Sequence, residues 1–326
     1  MQPKASHQIT EEQINTILQD IGTSVKSYER FEGGVINPLY FLDTKDGRRL
    51  ALRLTNPHWK NKTESEVMVM DFVRNRTTIP VPGILAYDLT RDRIGFEYIL
   101  MERLQGEQLI KTFDQSTTEE KDVYLESIAD IFVQLKSFRF PKIGSFLKDM
   151  QVGPLVDSNT GPFDTFAKYI CSLIDFRIPP LREDSRFSVY VPSLERFRDH
   201  FAKVYAGIVE ITLCHSDLDL KNILAHEGKI TGLIDWEWAM AGPMDEDFHH
   251  IADIPDSERL IEKIVRKGIK LPQGFEERRD MYEVTFIATA LVSYKHWFVG
   301  RETDGEDFIG KQCRKLEGIF LKYLSK

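Results

Sequence analysis

The chain of 326 residues is 42% hydrophobic and 29% charged, which is typical of a folded protein and excludes a disordered or fibrous one. Its formal net charge of −8 argues against a nucleic-acid-binding protein, and no apolar run approaches the roughly 18 residues that a membrane-spanning helix requires. The N-terminal stretch MQPKASHQITEEQ lacks the apolar core of a secretory signal and the three cysteines are widely spaced, so we expect reduced thiols and a cytoplasmic protein.

The first hundred residues predict one helix followed by a β-rich region. The helix is predicted at ITEEQINTILQDIG, where Thr10 and Gln13 have the spacing of a capping box. The segments SVKSYERFEGG, NPLYFLDT and RRLALRLT predict three antiparallel strands, with Asp46-Gly47 as a tight turn. A helix at ESEVMVMDFVRN and strands at GILAYDL and IGFEYILMERL follow. We therefore expect a five-stranded antiparallel sheet within residues 22–104, with one helix after its third strand.

The remainder of the chain is mainly helical in its periodicity. The strand-like pieces ITLCH, NILAH and KITGLIDW interrupt the helices midway, and residues 139–162 and 179–192 are predicted to be connectors that contain Pro and Gly. The predicted fold class is α+β and bilobal, with a small lobe at residues 1–104 and a larger helical lobe at 105–326. The cleft between two lobes is a usual place for a ligand.

Polar side chains concentrate beside the strands of the second lobe, in LCHSDLDLKN and at the end of ITGLIDWEW. An Asp that follows a strand can accept a hydroxyl proton, while Asn and Asp supply the hard oxygen ligands that Mg²⁺ prefers. Asp217, Asn222 and Asp235 together would therefore suit phosphoryl transfer, and the spacing His-x-Asp-x-x-x-x-Asn matches the catalytic loop of protein kinases. Ordinary turn and capping roles are the alternative for each of these side chains.

These motifs resemble those of the aminoglycoside phosphotransferase and choline-kinase-like family, small-molecule kinases with a protein-kinase-like fold. CHSDLDLKNIL is similar to the family's H-G-D-L-H-x-x-N-[IL]-[LM], and ITGLIDWEWAMAGP to its V-x-G-[VI]-I-D-[WF]-[EG] segment. RFEGGVINPLY is similar to its nucleotide loop G-G-x-x-N-x-x-[YF], and SEVMVMDFVRNRTTIPVPGIL to its Glu-containing helix and the turn that follows. The matches occur in the family's order over roughly residues 25 to 255.

The resemblance implies a role for each matching residue. Asp217 would be the catalytic base, and Asn222 and Asp235 would hold Mg²⁺. Arg53, positioned by Glu66, would contact the phosphates of ATP or another nucleoside triphosphate; the alternative is a surface strand Arg. A loop containing Gly33, Gly34 and Asn37 would cover the phosphates; the alternative is a simple hairpin turn. The backbone groups that join the lobes would face the adenine, and they belong to Met101, Glu102, Arg103 and Leu104.

Three positions depart from the family pattern. Ser216 stands where the family often has Gly, and Asp219 stands where it often has His; neither is an expected metal ligand, and Asp219 has no assigned role. Arg53 replaces the Lys of protein kinases, and its planar guanidinium suits bidentate contacts rather than a point charge. Glu64 lies half a helical turn from Glu66 and is the alternative partner of Arg53.

Three other polar groups have ordinary explanations at this stage. His215 is expected to brace the loop through hydrogen bonds rather than to carry a proton. His249 and His250 with Asp253 are expected to be a solvated helix start rather than a metal cluster. The acidic run at 245–247 is expected to begin a helix, with an acidic rim for a cationic substrate as the alternative.

The sequence therefore predicts an ATP- and Mg²⁺-dependent phosphotransferase whose substrate enters between the catalytic loop and the C-terminal helices. The first expectation for the hydroxyl-bearing acceptor is an aminoglycoside or related antibiotic, which the net charge would suit; the alternative is an amino alcohol, sugar or amino acid. A nucleotide-binding protein without catalysis is the alternative of another class, and a metal hydrolase using His215, Asp217 and His226 ranks behind it. We expect a monomer or dimer, with no nucleic-acid or membrane partner.

Overall fold

The computed structural model describes residues 8–31, 37–55, 62–205, 210–298 and 302–324. Its strands are β1 (Val25–Phe31), β2 (Leu39–Thr44), β3 (Arg49–Leu54), β4 (Ile84–Asp88), β5 (Tyr98–Glu102), β6 (Glu107–Gln108), β7 (Gly144–Leu147), β8 (Gln151–Gly153), β9 (Ile211–Cys214), β10 (Ile223–His226), β11 (Lys229–Leu233) and β12 (Met240–Pro243). Its helices are α1 (Glu11–Leu18), α2 (Thr63–Arg76), α3 (Thr118–Leu135), α4 (Phe166–Glu183), α5 (Val191–Val204), α6 (Asp245–Ile251), α7 (Ser257–Arg266), α8 (Phe275–Trp297) and α9 (Glu302–Leu324). No helix among the described residues has an apolar stretch long enough to cross a membrane.

The first lobe is an antiparallel sheet of five strands in the order β1-β2-β3-β5-β4. Helix α2 follows the third strand, and the turn at Asp46-Gly47 joins β2 to β3. Gly47 has a φ of +85°, a conformation that glycine adopts at little steric cost. The α+β fold class, with a five-stranded sheet and a helical second lobe, is confirmed.

Strand β3 separates the two faces of this sheet by simple alternation. Leu50, Leu52 and Leu54 are buried against α1 on one face. Ala51 lies on the other face, in the core that includes α2 and continues into the second lobe, and the same alternation puts Arg53 on that face. The sheet therefore presents Arg53 to the cleft between the lobes.

The second lobe contains two small sheets among its helices, in the orders β11-β10-β6 and β8-β7-β12-β9. The hairpin of β7 and β8 lies within residues 139–162, which the sequence predicted to be a connector. Regular pairing of these short strands is specified by their partner β12 and not by local composition, so this prediction is wrong for residues 144–153.

Helix α4 continues through Pro179 and Pro180 to Glu183, and α5 begins at Val191, so the predicted connector at 179–192 is wrong for residues 179–183 and 191–192. The buried side chains of α4, Ile174, Ile178 and Leu181, keep helical spacing past the prolines. Packing of this face against α5 and α8 outweighs the roughly 3 kcal/mol that an internal proline costs a helix.

Candidate active site

Two polar segments lie side by side because the chain passes between the two small sheets twice. The first segment, 215–222, runs from β9 to β10, and the second, 234–239, runs from β11 back to β12. Cross-strand pairing of β9 with β12 aligns one end of the two segments, and pairing of β10 with β11 aligns the other. The segments predicted to carry the chemistry are thus brought together by strand register.

Asn222 is the buried link between these segments. Its side-chain Nδ2 donates to the Asp217 carbonyl at 2.8 Å and to the Asp217 carboxylate at 2.9 Å. Its own carbonyl accepts from the backbone N–H of Ile234 at 2.9 Å, immediately before Asp235. The Asn222 Oδ1 atom is left as the oxygen donor of this amide.

Asp217 lies in a cationic environment. Lys221 Nζ is 3.1 Å and His250 Nδ1 is 3.6 Å from its Oδ1 atom. Burial raises the pKa of Asp217, but Lys221 and His250 outweigh burial, and the pKa lies below its usual value. The side chain is therefore a carboxylate at neutral pH, able to accept a proton.

Asp219 has a local structural role that the sequence did not assign. Its carboxylate accepts from the Lys221 backbone N–H at 3.3 Å, and its carbonyl accepts from the Asn222 N–H at 2.9 Å. Asp219 caps the short 3-10 helix at Leu220–Asn222 and so positions Asn222. Ser216 has a φ of +63°, which is a physical reason for the Gly that resembling sequences often have there.

A buried ion pair lies beneath the first segment. Asp247 accepts from Lys136 Nζ at 2.6 Å and from the backbone N–H groups of His215 and Ser216 at 3.3 and 2.8 Å. Asp247 is fully buried, and the pair with Lys136 holds its pKa below the usual value against the effect of burial. Asp247 was predicted only as part of a helix start; α6 does begin at Asp245, but this side chain points into the core and fastens the loop.

His215 joins the two segments through its ring. Its Nε2 donates to the Ile234 carbonyl at 3.0 Å, and the ring lies 4.6 Å from that of Trp236. Burial lowers the pKa of His215, so the ring is neutral. These contacts are those of a brace, as the sequence analysis expected.

Arg53 lies between two carboxylates that come from different parts of the chain. Its guanidinium forms an ion pair with Glu66 of α2, and Nη1 is 3.4 Å from Glu237 Oε2. Asn37 donates to the same Glu237 oxygen at 2.8 Å. Burial lowers the pKa of Arg53, but the surrounding carboxylates raise it further. Glu64, the alternative partner, is exposed, whereas Glu66 is buried.

Asp235 completes the cluster of carboxyl groups around Arg53. Its φ of +66° turns it out of the strand, and its side chain meets the solvent of the cleft. Enclosure by protein on its other sides, together with Glu237, raises its pKa to about 6. Burial also raises the pKa of Glu66, and Arg53 opposes that rise. Three carboxyl groups, those of Asp235, Glu66 and Glu237, therefore surround Arg53.

The other predicted nucleotide contacts have different outcomes. Gly33 and Gly34 lie outside the described residues. Glu102 and Arg103 use their backbone N–H groups to bind Gly83 and Arg49 at 2.8 and 3.1 Å. The Glu102 carboxylate accepts from Arg74 at 2.9 Å, Arg103 lies over the Phe41 ring at 3.8 Å, and Met101 is buried in the core. Within the described part of the chain, the Leu104 N–H donates no hydrogen bond.

A metal hydrolase using His226 is not supported by the geometry. His226 lies on the exposed hairpin of β10 and β11 near Glu227, whereas the His215 ring is buried against Ile234. Among the residues that the structure describes, no three His, Cys, Asp or Glu side chains converge as a metal-binding group.

A cavity of about 240 Å³ opens beside the first polar segment, residues 215–222. It extends from Ser216 and His250 to α4 and α8, which is the predicted direction of substrate entry. His249 and His250 line this cavity, so they are not the solvated helix start that the sequence suggested. Glu237 also lines it, and no role for Glu237, Lys136 or Asp247 could be read from their neighbours in sequence.

The chain matches the family model described as the phosphotransferase enzyme family over residues 27–280, well over half its length. The chain belongs to this family. The match covers every strand of the first sheet except the first two residues of β1, and both polar segments of the second lobe.

Solved structures of the phosphotransferase family share the fold. A thermostable mutant of aminoglycoside phosphotransferase APH(4)-Ia in its apo form has a TM-score of 0.68 at 19% identity, covering 96% of this chain and 99% of that one. A ternary complex of another such mutant with AMP-PNP and hygromycin B has a TM-score of 0.67 at 19% identity, covering 94% of this chain and 97% of that one. The gentamicin complex of APH(2″)-IIa has a TM-score of 0.69 at 14% identity, covering 95% of this chain and 96% of that one. At these identities the likeness establishes the protein-kinase-like fold.

Curated relatives of this chain match shorter regions. A subtelomeric hrmA-associated cluster protein of Aspergillus fumigatus is 40% identical over 121 residues, which is 35% of this chain and 23% of the relative. Altered inheritance of mitochondria protein 9 of Meyerozyma guilliermondii is 30% identical over 145 residues, 42% of this chain and 24% of the relative. The matched regions thus span about a quarter of the relatives' lengths.

The expected cytoplasmic location is wrong by this comparison. The relatives from Meyerozyma guilliermondii, Clavispora lusitaniae and Debaryomyces hansenii are all named as mitochondrial proteins. The apolar core distinguishes a secretory signal, whereas mitochondrial targeting segments are amphipathic and lack such a core, so its absence carries no information about mitochondrial targeting.

Proposed function

We propose that this protein transfers the γ-phosphate of ATP to a hydroxyl group of a small molecule, with Mg²⁺ as cofactor. The observation that carries the proposal is the double hydrogen bond from Asn222 to Asp217, combined with the backbone bond that holds Asn222 beside Asp235. These bonds hold the proposed proton acceptor, Asp217, next to the two proposed oxygen ligands of the cation, Asn222 and Asp235. Asp235 in turn interacts with Arg53.

The donor set suits Mg²⁺. Asp235 and Asn222 Oδ1 are hard oxygen donors, and Mg²⁺ in kinases is held by one or two protein groups and the substrate phosphates rather than by a full protein cage. Asp235 and Glu66 both have a raised pKa beside the Glu237 carboxylate, so a bound cation at this position would favour their ionised forms. A bound Mg²⁺ ion would neutralise charge on the transferring phosphoryl group.

Each residue would then have a distinct task. Asp217 would accept the hydroxyl proton of the acceptor, and its lowered pKa keeps it in the basic form. Arg53, held by Glu66 and Glu237, would bind phosphate oxygens. Gly33 and Gly34, which lie outside the described residues, would contact the phosphates, and Asn37 would act through Glu237.

The connection between the lobes would receive the adenine. The Leu104 N–H would be its backbone donor, with Met101 beneath the ring and the side chains of Glu102 and Arg103 holding the connection in place. His215 and Asp247 would keep the catalytic segment in position without contacting either substrate.

The direct test is phosphorylation of a panel of hydroxyl compounds by the full chain with ATP, followed by detection of the phosphorylated product. We expect a product that requires both an acceptor and Mg²⁺. Binding of Mg²⁺ and AMP-PNP without product from any acceptor would favour the alternative, a nucleotide-binding protein without catalysis. Absence of AMP-PNP binding would contradict both.

A further inference from the structure

The charges in the cavity restrict which acceptor it can bind. Its acidic side chains are already engaged: Asp157 with Lys62 at 3.3 Å, Glu237 with Arg53 and Asn37, and Glu246 with the Tyr169 hydroxyl at 2.9 Å. A polycation such as an aminoglycoside would have to compete for each of these carboxylates. Desolvating its several ammonium groups without free partners would be costly.

Among the described residues that line the cavity, Arg177 of α4 is a cation without a carboxylate partner. Its Nε donates to Thr289 at 3.1 Å, and its guanidinium lies 4.7 Å from the centre of the Phe176 ring. Within the described residues, no carboxylate approaches Arg177 within ion-pair distance, and its terminal nitrogens form no hydrogen bond. Burial lowers the pKa of Arg177, and distant Asp157 only partly opposes this, so its charge is incompletely compensated.

Neither histidine of the cavity supplies a negative charge to compensate Arg177. Burial lowers the pKa of His249 to about 3, so its ring is neutral and lies against Tyr282 and Phe286. His250 is directed to Asp217. Lys62, the other cation, lies 2.8 Å above the centre of the Trp238 ring and is paired with Asp157. An unmatched positive charge in the cavity therefore remains at Arg177.

The rest of the lining is largely aromatic and aliphatic, and the cavity is small. Its apolar side chains come from α4, α8 and the segment after Asp235: Leu173, Phe176, Trp238, Tyr282 and Phe286. A volume of about 240 Å³ lies below the roughly 300–1,000 Å³ of pockets for drug-sized ligands. The described walls thus fit a compact, partly apolar molecule.

We propose that the phosphoryl acceptor is a compact hydroxyl compound with one anionic group, a hydroxycarboxylate in chemical class, whose anion lies against Arg177. Its apolar part contacts the aromatic wall, and its hydroxyl reaches Asp217 past Ser216 and His250. The arrangement matches one guanidinium with one carboxylate in a bidentate manner. This inference rests on the proposed function and replaces the expected aminoglycoside by a different class of acceptor.

The experiment compares three acceptors that differ only at the end remote from the hydroxyl: 6-hydroxyhexanoate, 1,6-hexanediol and 6-amino-1-hexanol, with the corresponding shorter and longer sets and hygromycin B. The full chain is supplied with ATP and Mg²⁺, and kcat and KM are measured for each. We expect the hydroxycarboxylates to have the highest kcat/KM. Preference for the amino alcohols or hygromycin B would overturn the inference.

Variants of Arg177 test the contact itself. Arg177→Gln should raise KM for the hydroxycarboxylate about 10-fold or more, the loss expected for a charged hydrogen bond, while KM for ATP and for the diol stays unchanged. The KM of Arg177→Lys for the hydroxycarboxylate should lie between the values for the wild type and Arg177→Gln. Arg182→Gln is the matched control, because Arg182 is on the same helix but pairs with Glu195 outside the cavity.

The outcomes separate this inference from the proposed function. An unchanged KM in Arg177→Gln overturns the anion contact. Binding of AMP-PNP and Mg²⁺ without phosphorylation of any hydroxycarboxylate overturns the acceptor class but leaves nucleotide binding intact. Failure of AMP-PNP to bind overturns the proposed function itself and the acceptor inference with it.

Discussion

The side-chain amide of Asn222 donates to Asp217 twice, to the carbonyl at 2.8 Å and to the carboxylate at 2.9 Å. This pair couples the proposed proton acceptor to a proposed metal ligand. A change at Asn222 should therefore affect both functions at once.

Asn222→Ala should lower kcat by about 10- to 100-fold and weaken Mg²⁺ dependence, because groups that orient metal ligands have effects of this size. Steady-state kinetics at varied Mg²⁺ concentration measure both changes. Asn75→Ala is the control, since Asn75 binds only the Asp71 carbonyl on the exposed face of α2. Equal kinetics for Asn222→Ala and the wild type would contradict the coupling.

Arg53→Gln should destabilise the protein by about 3 kcal/mol, because it leaves Glu66 and Glu237 without their buried cation. It should also raise KM for ATP, and Arg53→Lys should restore part of each loss. Urea unfolding measures the free energy of unfolding, and initial rates at varied ATP concentration measure KM for ATP. Arg48→Gln, which removes an exposed pair with Asp46, should cost less than about 1 kcal/mol; a comparable loss in both variants would argue against the buried pair.

Asp247→Ala should be among the most destabilising single changes in the second lobe, by about 3–5 kcal/mol, because Lys136 would be left as an unpaired buried charge. The backbone N–H groups of His215 and Ser216 would lose their acceptor as well. Chemical unfolding measures the loss. Glu195→Ala on the surface should change the free energy of unfolding by less than about 1 kcal/mol.

Glu246 should make stability depend on pH near neutrality. Burial raises its pKa from 4.5 to about 7, so the folded state binds a proton more tightly than the unfolded state. Stability from this group is complete below about pH 4.5 and is lost as pH rises through about 7, by up to about 3 kcal/mol. Glu246→Gln should therefore gain stability relative to the wild type between pH 5 and pH 8. A constant difference in unfolding free energy across this range would contradict the shift.

Local sequence signals predicted the first lobe well because its elements are specified by nearby residues. Thr10 and Gln13 do form a capping box, with bonds of 3.2 and 2.9 Å in the two directions. The alternation in RRLALRLT and the Asp46-Gly47 turn are likewise local, and both produced the expected strands. Helix α4 was missed past Pro179 because its stability there comes from packing against other helices.

The candidate site was predictable only where a motif has fixed spacing. Asp217, Asn222 and Asp235 could be selected from spacing alone, and the structure brings their segments together. Glu237 and Asp247 could not be selected, because their partners lie far away in sequence: 184 residues separate Glu237 from Arg53 and 111 separate Asp247 from Lys136. Such contacts depend on how the lobes and helices pack.

The central claim is that Asp217 accepts the acceptor's proton while other residues bind the nucleotide. The measurement is a comparison of Asp217→Asn with the wild type in phosphorylation of the best acceptor and in affinity for AMP-PNP with Mg²⁺. We predict a fall in kcat of about 100- to 10,000-fold, the usual contribution of a general base, with AMP-PNP affinity changed less than about 3-fold. Phosphorylation at the wild-type rate by Asp217→Asn would contradict the account.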